Sequence, residues 1–441
     1  MKIKEIYQKY YSISSGIEIN SKKVKKGSIF IALKGKNFDG NQFALEAISK
    51  GALLSIIDNK KYFVSCKKIL LVKNTLFLLQ ELAFYHRSIN KHIPIIAIVG
   101  SNGKTTTKEL IRSVLYNKYK KIHYTKNNYN NHIGIPLTIL SMSNNSQISV
   151  IEIGASHKNE IKNMCSIVNP DYGYITNFGK AHLEGFGGIK GVINGKLELY
   201  EFLKKKNKLV FVNGDDSIQI SNSNKIKRFV FSGKKNINTN VKFKYLCNIS
   251  GIKSILYIKN IKIVSSLVGN YNLYNIAASI TIGIYFKISL KKIKKSIEEY
   301  TSKNYRSQII NKNNVKIIVD CYNANPTSMI KSLTFFNKNI NGNKMVILGD
   351  MLELGSFSNK EHEKIIYFLT KSDINIAFLI GYIFFNTKYI KSNKTEIIKF
   401  LEKKNFINWI KKNPIRKTNF IFVKGSRKIE LENIIPFINP I

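Results

Sequence analysis

Arginine is nearly absent from this chain: of 71 basic residues only six are Arg. A protein that reads DNA or RNA usually leans on the guanidinium for two-pronged contacts to bases and phosphates. The formal net charge of +44 therefore does not by itself mark a nucleic-acid partner. The lysines are spread along the whole chain rather than gathered in one stripe. That is the pattern of solvated faces in a sequence biased toward Lys, Asn, Ile, Phe and Tyr. Cysteine is sparse as well. Cys66, Cys165, Cys247 and Cys321 lie far apart with no CxxC pair, which argues against a zinc site or a disulfide framework and fits a reducing compartment. The N-terminal MKIKEIYQKYYS lacks the apolar core of a signal peptide, and the longest apolar run, Ile276 to Phe286, is too short to span a bilayer. A cytoplasmic protein is expected.

What is present reads as globular: 44% hydrophobic residues, 11% aromatic and only seven prolines. A chain of 441 residues can bury several cores, so two or three domains are expected. The most informative stretch is IPIIAIVGSNGKTTTKEL, Ile93 to Leu110. The unbroken apolar run Ile93 to Val99 has the length and branching of a strand buried on both faces. It stops at Gly100, and Gly103-Lys104-Thr105 leads into a helical pattern beginning near Thr106. Strand, glycine loop, Lys-Thr and helix together make a phosphate cradle. Glycines let backbone N–H groups close around an anion, the helix N-terminus adds partial positive charge, and Lys104 reaches the terminal phosphates. The Thr105 hydroxyl is placed to ligate Mg²⁺. The usual pattern has four residues between its glycines and would need glycine at Ile98; here the run is Gly100-Ser101-Asn102-Gly103-Lys104. A tight strand-to-helix turn would share these letters, but strand and helix both fall where a nucleotide site needs them.

Residues 1 to about 88 read as a small mixed domain with strands at SIFIAL (Ser28 to Leu33) and LLSIID (Leu53 to Asp58) and a helix at Ala44 to Ala52. From about 89 to 302 apolar strands alternate with helical segments, the sign of a largely parallel sheet covered on both faces. After the phosphate loop come ISVIEIGASH (Ile148 to His157), DYGYITNFGKAHLEGFG (Asp171 to Gly187) and KLVFVNGDD (Lys208 to Asp216), each polar where its strand ends. Ligands in open α/β sheets sit at those ends. A carboxylate, Glu152, and an imidazole, His182, beside a phosphate loop could hold a metal ion that neutralises triphosphate charge. Lys196, in GVINGKLELY, has less signal of its own and reads as a helix-surface lysine. From about 303 to 441 the alternation repeats at NVKIIVDCYNANP, NKMVILGDMLELG, INIAFLIG and NFIFVKGS, with no second phosphate loop.

Together these pieces resemble the Mur ligases, which build the peptide of bacterial cell-wall precursors. GSNGKTTTKE carries that family's short-spaced phosphate loop. NNHIGIPLTIL (Asn130 to Leu140), VIEIGASH, ITNFGKAHLEGFG and GNYNLYN (Gly269 to Asn275) follow in family order. DCYNANPTSM (Asp320 to Met329), GDMLELG (ending at Gly355) and VKGSR (Val423 to Arg427) are similar to the dipeptide-adding branch rather than to branches adding one amino acid.

The resemblance implies an α/β fold in three domains. These are a mixed α/β N-terminal domain over 1–88 that binds the UDP substrate, a central P-loop ATPase domain with a mostly parallel sheet over 89–302, and a C-terminal Rossmann-like domain over 303–441. It implies an ATP-dependent ligase joining D-alanyl-D-alanine to UDP-N-acetylmuramoyl-tripeptide through an acyl phosphate. Gly100, Ser101, Asn102, Gly103, Lys104, Thr105 and Thr106 would hold ATP phosphates, and Asn275, Arg306 and Asp320 the rest of the nucleotide. Thr105, Glu152, His182 and Lys196 would serve two Mg²⁺ ions, Lys196 as a carbamylated lysine. Lys104, Glu152, His182 and Lys196 form the catalytic set. Ser21 and Lys22 would grip the UDP end, Asn130, Asn131 and His157 the sugar-peptide portion, and Asn323, Asn325, Lys424 and Ser426 the dipeptide side. Lys22 stands where Arg is common, and Asn41 and Tyr271 where His is common, differences that bear on substrate affinity more than on chemistry. The partners expected are small molecules, with no nucleic acid, no membrane span, and a monomeric chain. Two other readings fit parts of the sequence: a nucleic-acid-dependent P-loop NTPase and a nucleotide-binding switch without catalysis. Within the family, a ligase adding a single amino acid is the nearest alternative.

Overall fold

A computed structural model describes residues 2–35, 37–246, 253–302, 305–389, 394–415 and 418–439. Cys247 and the expected domain boundary at 303 lie outside the described residues. The chain forms two compact units. One comprises Met1–Ala97, Tyr119–Ala155 and Glu160–Tyr172; the other comprises Ile98–Lys118, Ser156–Asn159 and Gly173–Ile441.

In the first unit, Ile17–Glu18, Ile29–Ile31, Leu54–Ile57 and Ile69–Leu71 form a four-stranded parallel sheet in that order. Its core joins Phe30, Ala32, Ile57 and Ile69 to Ala44 and Ala47 of the helix Ala44–Ser49. The small residues on that helix let it lie close to the sheet. The longer helix Thr75–Ile89 starts where the Asn74 side chain accepts from Phe77 N at 2.7 Å. It delivers Arg87, 2% exposed, into the interior. Arg87 Nε donates to Val168 O, Nη1 to Asn90 O and Ile93 O, and Nη2 to Asn169 O. Nη2 also lies 3.3 Å from Asp171 Oδ2, which in turn accepts from Ile95 N at 3.0 Å. Ile95 begins the strand Ile95–Val99, so this guanidinium helps fix where the strand leading to the phosphate loop starts. A parallel pair, Ile122–Tyr124 with Ile148–Glu152, brings Glu152 to a strand end in the same unit.

In the second unit, Leu209–Asn213 pairs parallel with Lys227–Ser232, and Lys227–Ser232 with Val241–Leu246. Val241–Leu246, Ser254–Ile258 and Ile261–Ser265 are antiparallel neighbours, so this stretch of the mostly parallel sheet ends in a meander. A separate six-stranded sheet has the order Gln308–Lys312, Val315–Asp320, Phe420–Lys424, Lys344–Gly349, Ile376–Ile380 and Glu396–Phe400. Only its first strand is antiparallel. The strand that comes last in the chain, Phe420–Lys424, is inserted between two earlier ones, and the chain winds outward on both sides of it. That is the switch point at which doubly wound sheets place ligands. The register sets Asp320 opposite Lys424, so two charged strand ends meet there. Among the described residues, no helix is long and apolar enough to cross a membrane.

Candidate functional site

The phosphate loop leaves a strand whose five residues are all fully buried and enters the helix Lys104–Leu115, which begins two residues earlier than its hydrophobic pattern predicts. Two glycines make the turn possible. Gly100 has φ +144°, and a Cβ there would lie 1.9 Å from Thr176 Oγ1. Gly103 has φ +80°, and a Cβ there would lie 2.6 Å from Asn275 Oδ1. Both positions thus need a left-handed backbone and an empty side. Neighbouring polar groups complete the loop. Asn102 O accepts from Thr176 Oγ1 at 2.5 Å and from Asn177 Nδ2 at 3.0 Å. Ser101 N donates to Asn177 O, and Ser101 Oγ to Gly179 O at 2.6 Å. Lys104 Nζ bends back to donate to Gly100 O at 2.6 Å, over the loop it starts from.

Asn275 is 5% exposed and anchors the loop from behind: its Oδ1 accepts from Thr107 Oγ1 at 3.1 Å, and its Nδ2 donates to Asn272 Oδ1 at 2.9 Å. Thr107, Thr176, Asn177 and Asn272 therefore belong to the cradle, although the sequence reading did not single them out. A polar residue at a strand end was the available signal for Thr176 and Asn177. For Thr107 and Asn272 there was none.

The candidate metal and catalytic residues differ in setting. Glu152 is 3% exposed and accepts from Asn130 Nδ2 at 2.8 Å, which also places Asn130. His182 sits at the N-terminus of the short helix Leu183–Phe186 in a left-handed backbone (φ 52°), and its Nδ1 stands 2.5 Å from Glu353 Oε2. The His182 imidazole beside it holds the Glu353 carboxyl below the usual carboxylate range. Lys196, on the helix Ile189–Lys205, is 1% exposed, with Nζ 4.8 Å from the centroid of Phe186. It is an interior lysine, and the expectation of a helix-surface residue is corrected: the helix face carrying Gly195 packs so tightly on Phe186 that a Cβ at 195 would meet the ring at 2.4 Å. Among the described residues, no three His, Cys, Asp or Glu side chains are grouped to hold a metal ion.

At the switch point of the six-stranded sheet the interior Lys424 pairs with Asp320 and donates to Asn323 O at 3.2 Å. Ser307 N donates to Asp320 Oδ1 at 3.2 Å, and Tyr271 shares a 2.9 Å hydrogen bond between its OH and Ser307 Oγ. Burial, with the charge of Asp320 adding to it, pushes the Tyr271 phenol well up, so it stays neutral. Arg306 stacks its guanidinium 3.4 Å from the centroid of Tyr322. Ser426 Oγ accepts from Leu352 N at 3.0 Å and Asn325 caps the helix Pro326–Asn339, its Oδ1 accepting from Ser328 N at 2.9 Å.

The loop that carries Glu353 is braced from below. Burial raises the Asp350 carboxyl although Ile383 N and Phe384 N both donate to it. The neighbouring His362, depressed by burial, accepts from Met351 N through Nε2, which fixes it as the neutral Nδ1–H tautomer facing Ser358 O.

In the first unit, Ser21 is 7% exposed and Lys22 is exposed, its N–H donating to Asn20 Oδ1 at 2.9 Å. Asn131 Oδ1 accepts from Gly134 N at 2.8 Å and starts the helix Gly134–Leu140. Asn41 is fully buried, donates to Asp39 and Asp58, and accepts from Asp58 N at 2.9 Å. It serves as an internal brace. In the second unit His157 Nδ1 pairs with Ser156 Oγ at 3.0 Å.

Three family models match the chain: the Mur ligase family catalytic domain over residues 14–83, the Mur ligase middle domain over 98–283, and the Mur ligase glutamate ligase domain over 305–427. The UDP-N-acetylmuramoyl-tripeptide–D-alanyl-D-alanine ligase of Bacillus subtilis is 32% identical over 438 residues, covering 96% of this chain and 93% of that protein. The corresponding ligase of Rickettsia prowazekii is 31% identical, covering 97% and 98%. Among solved structures, MurF from Acinetobacter baumannii superposes with a TM-score of 0.84 at 27% identity, covering 96% of this chain and 92% of that one. MurF from Thermotoga maritima in complex with ADP gives 0.83 at 26%, covering 97% of both.

Proposed function

The chain belongs to the Mur ligase family, and from that premise we propose how its residues divide the work of a MurF-type reaction. It is an ATP-dependent ligase with the three-domain α/β fold of that family, adding D-alanyl-D-alanine to UDP-N-acetylmuramoyl-tripeptide in peptidoglycan synthesis. The observation that carries the reading is the loop from Gly100 to Lys104, held open on one side by Thr176 and Asn177 and on the other by Asn275.

A free carboxylate is a poor acyl donor because oxide is a hopeless leaving group. Transfer of the terminal phosphoryl group of ATP to the tripeptide carboxylate gives an acyl phosphate and ADP. The dipeptide amine then attacks the carbonyl carbon, the bond to phosphate breaks, and a proton leaves the nitrogen. Lys104 balances charge on the transferred group, and the loop amides hold the remaining phosphates. Asn275, which also shapes the loop, Arg306 and Asp320 are assigned to the nucleotide. Asn323, Asn325, Lys424 and Ser426 are assigned to the dipeptide, Ser21 and Lys22 to the UDP end, and Asn130, Asn131 and His157 to the sugar-peptide portion. On this reading, residues 1–88, 89–302 and 303–441 serve UDP substrate, ATP and dipeptide in turn.

The donor chemistry fits Mg²⁺: the Thr105 hydroxyl and the Glu152 carboxylate are hard oxygen ligands, and His182 supplies an imidazole. Lys196 can join them only as a carbamate, and its nearly complete burial would shield that group from water. Bound Mg²⁺ would neutralise triphosphate charge. Labelled bicarbonate followed by carbon NMR tests the carbamate on Lys196 directly.

The test of the whole reading is phosphate release in the presence of ATP, UDP-N-acetylmuramoyl-tripeptide and D-alanyl-D-alanine. Release should need all three, with one ligated product per phosphate. Hydrolysis without ligated product would count against it.

A further inference from the structure

Tyr271 opens the helix Tyr271–Tyr285 one turn ahead of Asn275, so both side chains leave the same face of that helix. Its ring fills the open side of Gly269, where a Cβ would meet it at 2.2 Å. The phenol oxygen lies 2.9 Å from Ser307 Oγ, 36 positions further along the chain. Ser307 is 6% exposed and holds a left-handed backbone (φ 54°), as does Tyr305 (φ 55°) on the other side of Arg306. Non-glycine residues keep that conformation only where their surroundings over-determine it. At Ser307 the side chain is held by Tyr271, and the N–H donates to Asp320 Oδ1 at 3.2 Å.

The Asp320 carboxylate is thereby fixed at both oxygens, Oδ1 by Ser307 N and Oδ2 by the Lys424 ammonium. A carboxylate has about four acceptor positions, so two hydrogen bonds leave room for two further donors. In a bound nucleotide the group that offers two neighbouring donor oxygens is the ribose diol; ionised phosphates offer none. Asn275, Arg306 and Asp320 come from three separate stretches, and one phenol stands beside all of them. It is a turn before the first, bonded to the neighbour of the second, and one residue removed from the carboxylate of the third. An imidazole is shorter than a phenol, so the histidine common at this position would fall short of Ser307 from the same backbone.

We propose that Tyr271 is a positioning residue for the nucleotide sugar: through Ser307 it aims the Asp320 carboxylate at the ribose diol and sets the preference for ribose over deoxyribose. The inference rests on the assignment of Asp320 to the nucleotide. Because burial keeps the phenol neutral, it supports the carboxylate without adding a second negative charge beside it.

The variant that tests this is Tyr271→Phe, which keeps the ring against Gly269 and removes only the oxygen. Calorimetry on the full chain gives Kd for ADP and for 2′-deoxy-ADP. The native protein should bind ADP about tenfold more tightly, the effect of one hydrogen bond to a charged group. In Tyr271→Phe the ratio should fall below about threefold, with ADP binding weakened and 2′-deoxy-ADP binding nearly unchanged. Ser307→Ala breaks the same bond from its other end and should do the same, and the double variant should add nothing further. A native ratio in Tyr271→Phe overturns the proposal. So does equal weakening of both nucleotides, which would make the phenol a general support of the fold, and so do additive effects in the double variant. Asp320→Asn separates the proposal from its premise. If it erases the ratio while Tyr271→Phe keeps it, the proposal alone fails; if it keeps the ratio, or the native protein has no preference, the assignment of Asp320 fails as well. A native protein that shows the preference but ligates no D-alanyl-D-alanine would overturn the reaction assigned above and leave this role of Tyr271 standing.

Discussion

His182 Nδ1 and Glu353 Oε2 stand 2.5 Å apart, and both residues hold a left-handed backbone, at φ 52° and 63°. Non-glycine residues rarely adopt that conformation, and each instance costs of order 1 kcal/mol or more. Two such residues meeting side chain to side chain orient the imidazole, leaving Nε2 for another partner. If His182 serves Mg²⁺, Glu353→Ala should lower kcat/KM for ligation by about 10- to 100-fold and raise the Mg²⁺ concentration needed for half-maximal rate. Steady-state kinetics across a Mg²⁺ titration checks this; an unchanged Mg²⁺ dependence would remove His182 from the metal assignment.

Gly100→Ala should abolish nucleotide binding and destabilise the protein. The added methyl falls 1.9 Å from Thr176 Oγ1, in a backbone region disfavoured for alanine. A loss of about 2 kcal/mol or more is expected, read from a chemical-denaturation curve, with ADP binding followed by calorimetry. Pairing it with Thr176→Ala, which removes the oxygen but not the strain, should recover only part of the stability.

Arg87→Lys should cost about 2–4 kcal/mol although the charge is kept. Four backbone carbonyls and Asp171 share the five N–H groups of one planar fork, and an ammonium has three donors at a single point. Urea denaturation of the variant would show the loss. A change below about 0.5 kcal/mol would mean that the carbonyls are readily rehydrated.

Glu361 gives a pH-dependent tether. Burial alone would raise its carboxyl, but hydrogen bonds from Lys180 and Lys364 outweigh it and hold the group below its ordinary value. A depressed carboxyl adds stability above its unfolded pKa of about 4.3 and loses it as pH falls through the lower folded value. Native protein should therefore exceed Glu361→Gln in thermal midpoint at neutral pH, by an amount corresponding to about 1 kcal/mol or less because both lysines are partly exposed. The two curves should converge as pH falls through that lower folded value and merge beneath it. A gap that persists there would assign the effect to packing.

The parts of this structure that a reader of the sequence can find are those whose chemistry is local. A fully apolar strand, two glycines, Lys104 and a helix occupy one continuous stretch, and the fold keeps them together. Val241–Leu246 alternates buried and exposed positions, a period-two signal that was present in VKFKYL, but six residues are too few to say that its partners would be antiparallel. From the sequence, Asn41 is an exchange that bears on substrate affinity. Its true setting depends on Asp58, whose carboxylate reaches it from another strand end. Lys196 read as a surface residue because nothing in its helix announces Phe186 as the ring it rests against. Pairs such as Asn102 with Asn325, or Tyr271 with Ser307, are set by tertiary approach, to which spacing along the chain gives no clue.

The empty side of Gly103 is occupied by the amide of Asn275, from a helix more than 160 residues downstream. Transplanting residues 100–106 onto another strand–helix junction would accordingly carry the letters of the motif without its mould. A grafted copy would relax toward an ordinary turn, and any design that borrows this loop has to import the Tyr271–Tyr285 helix as its backing plate.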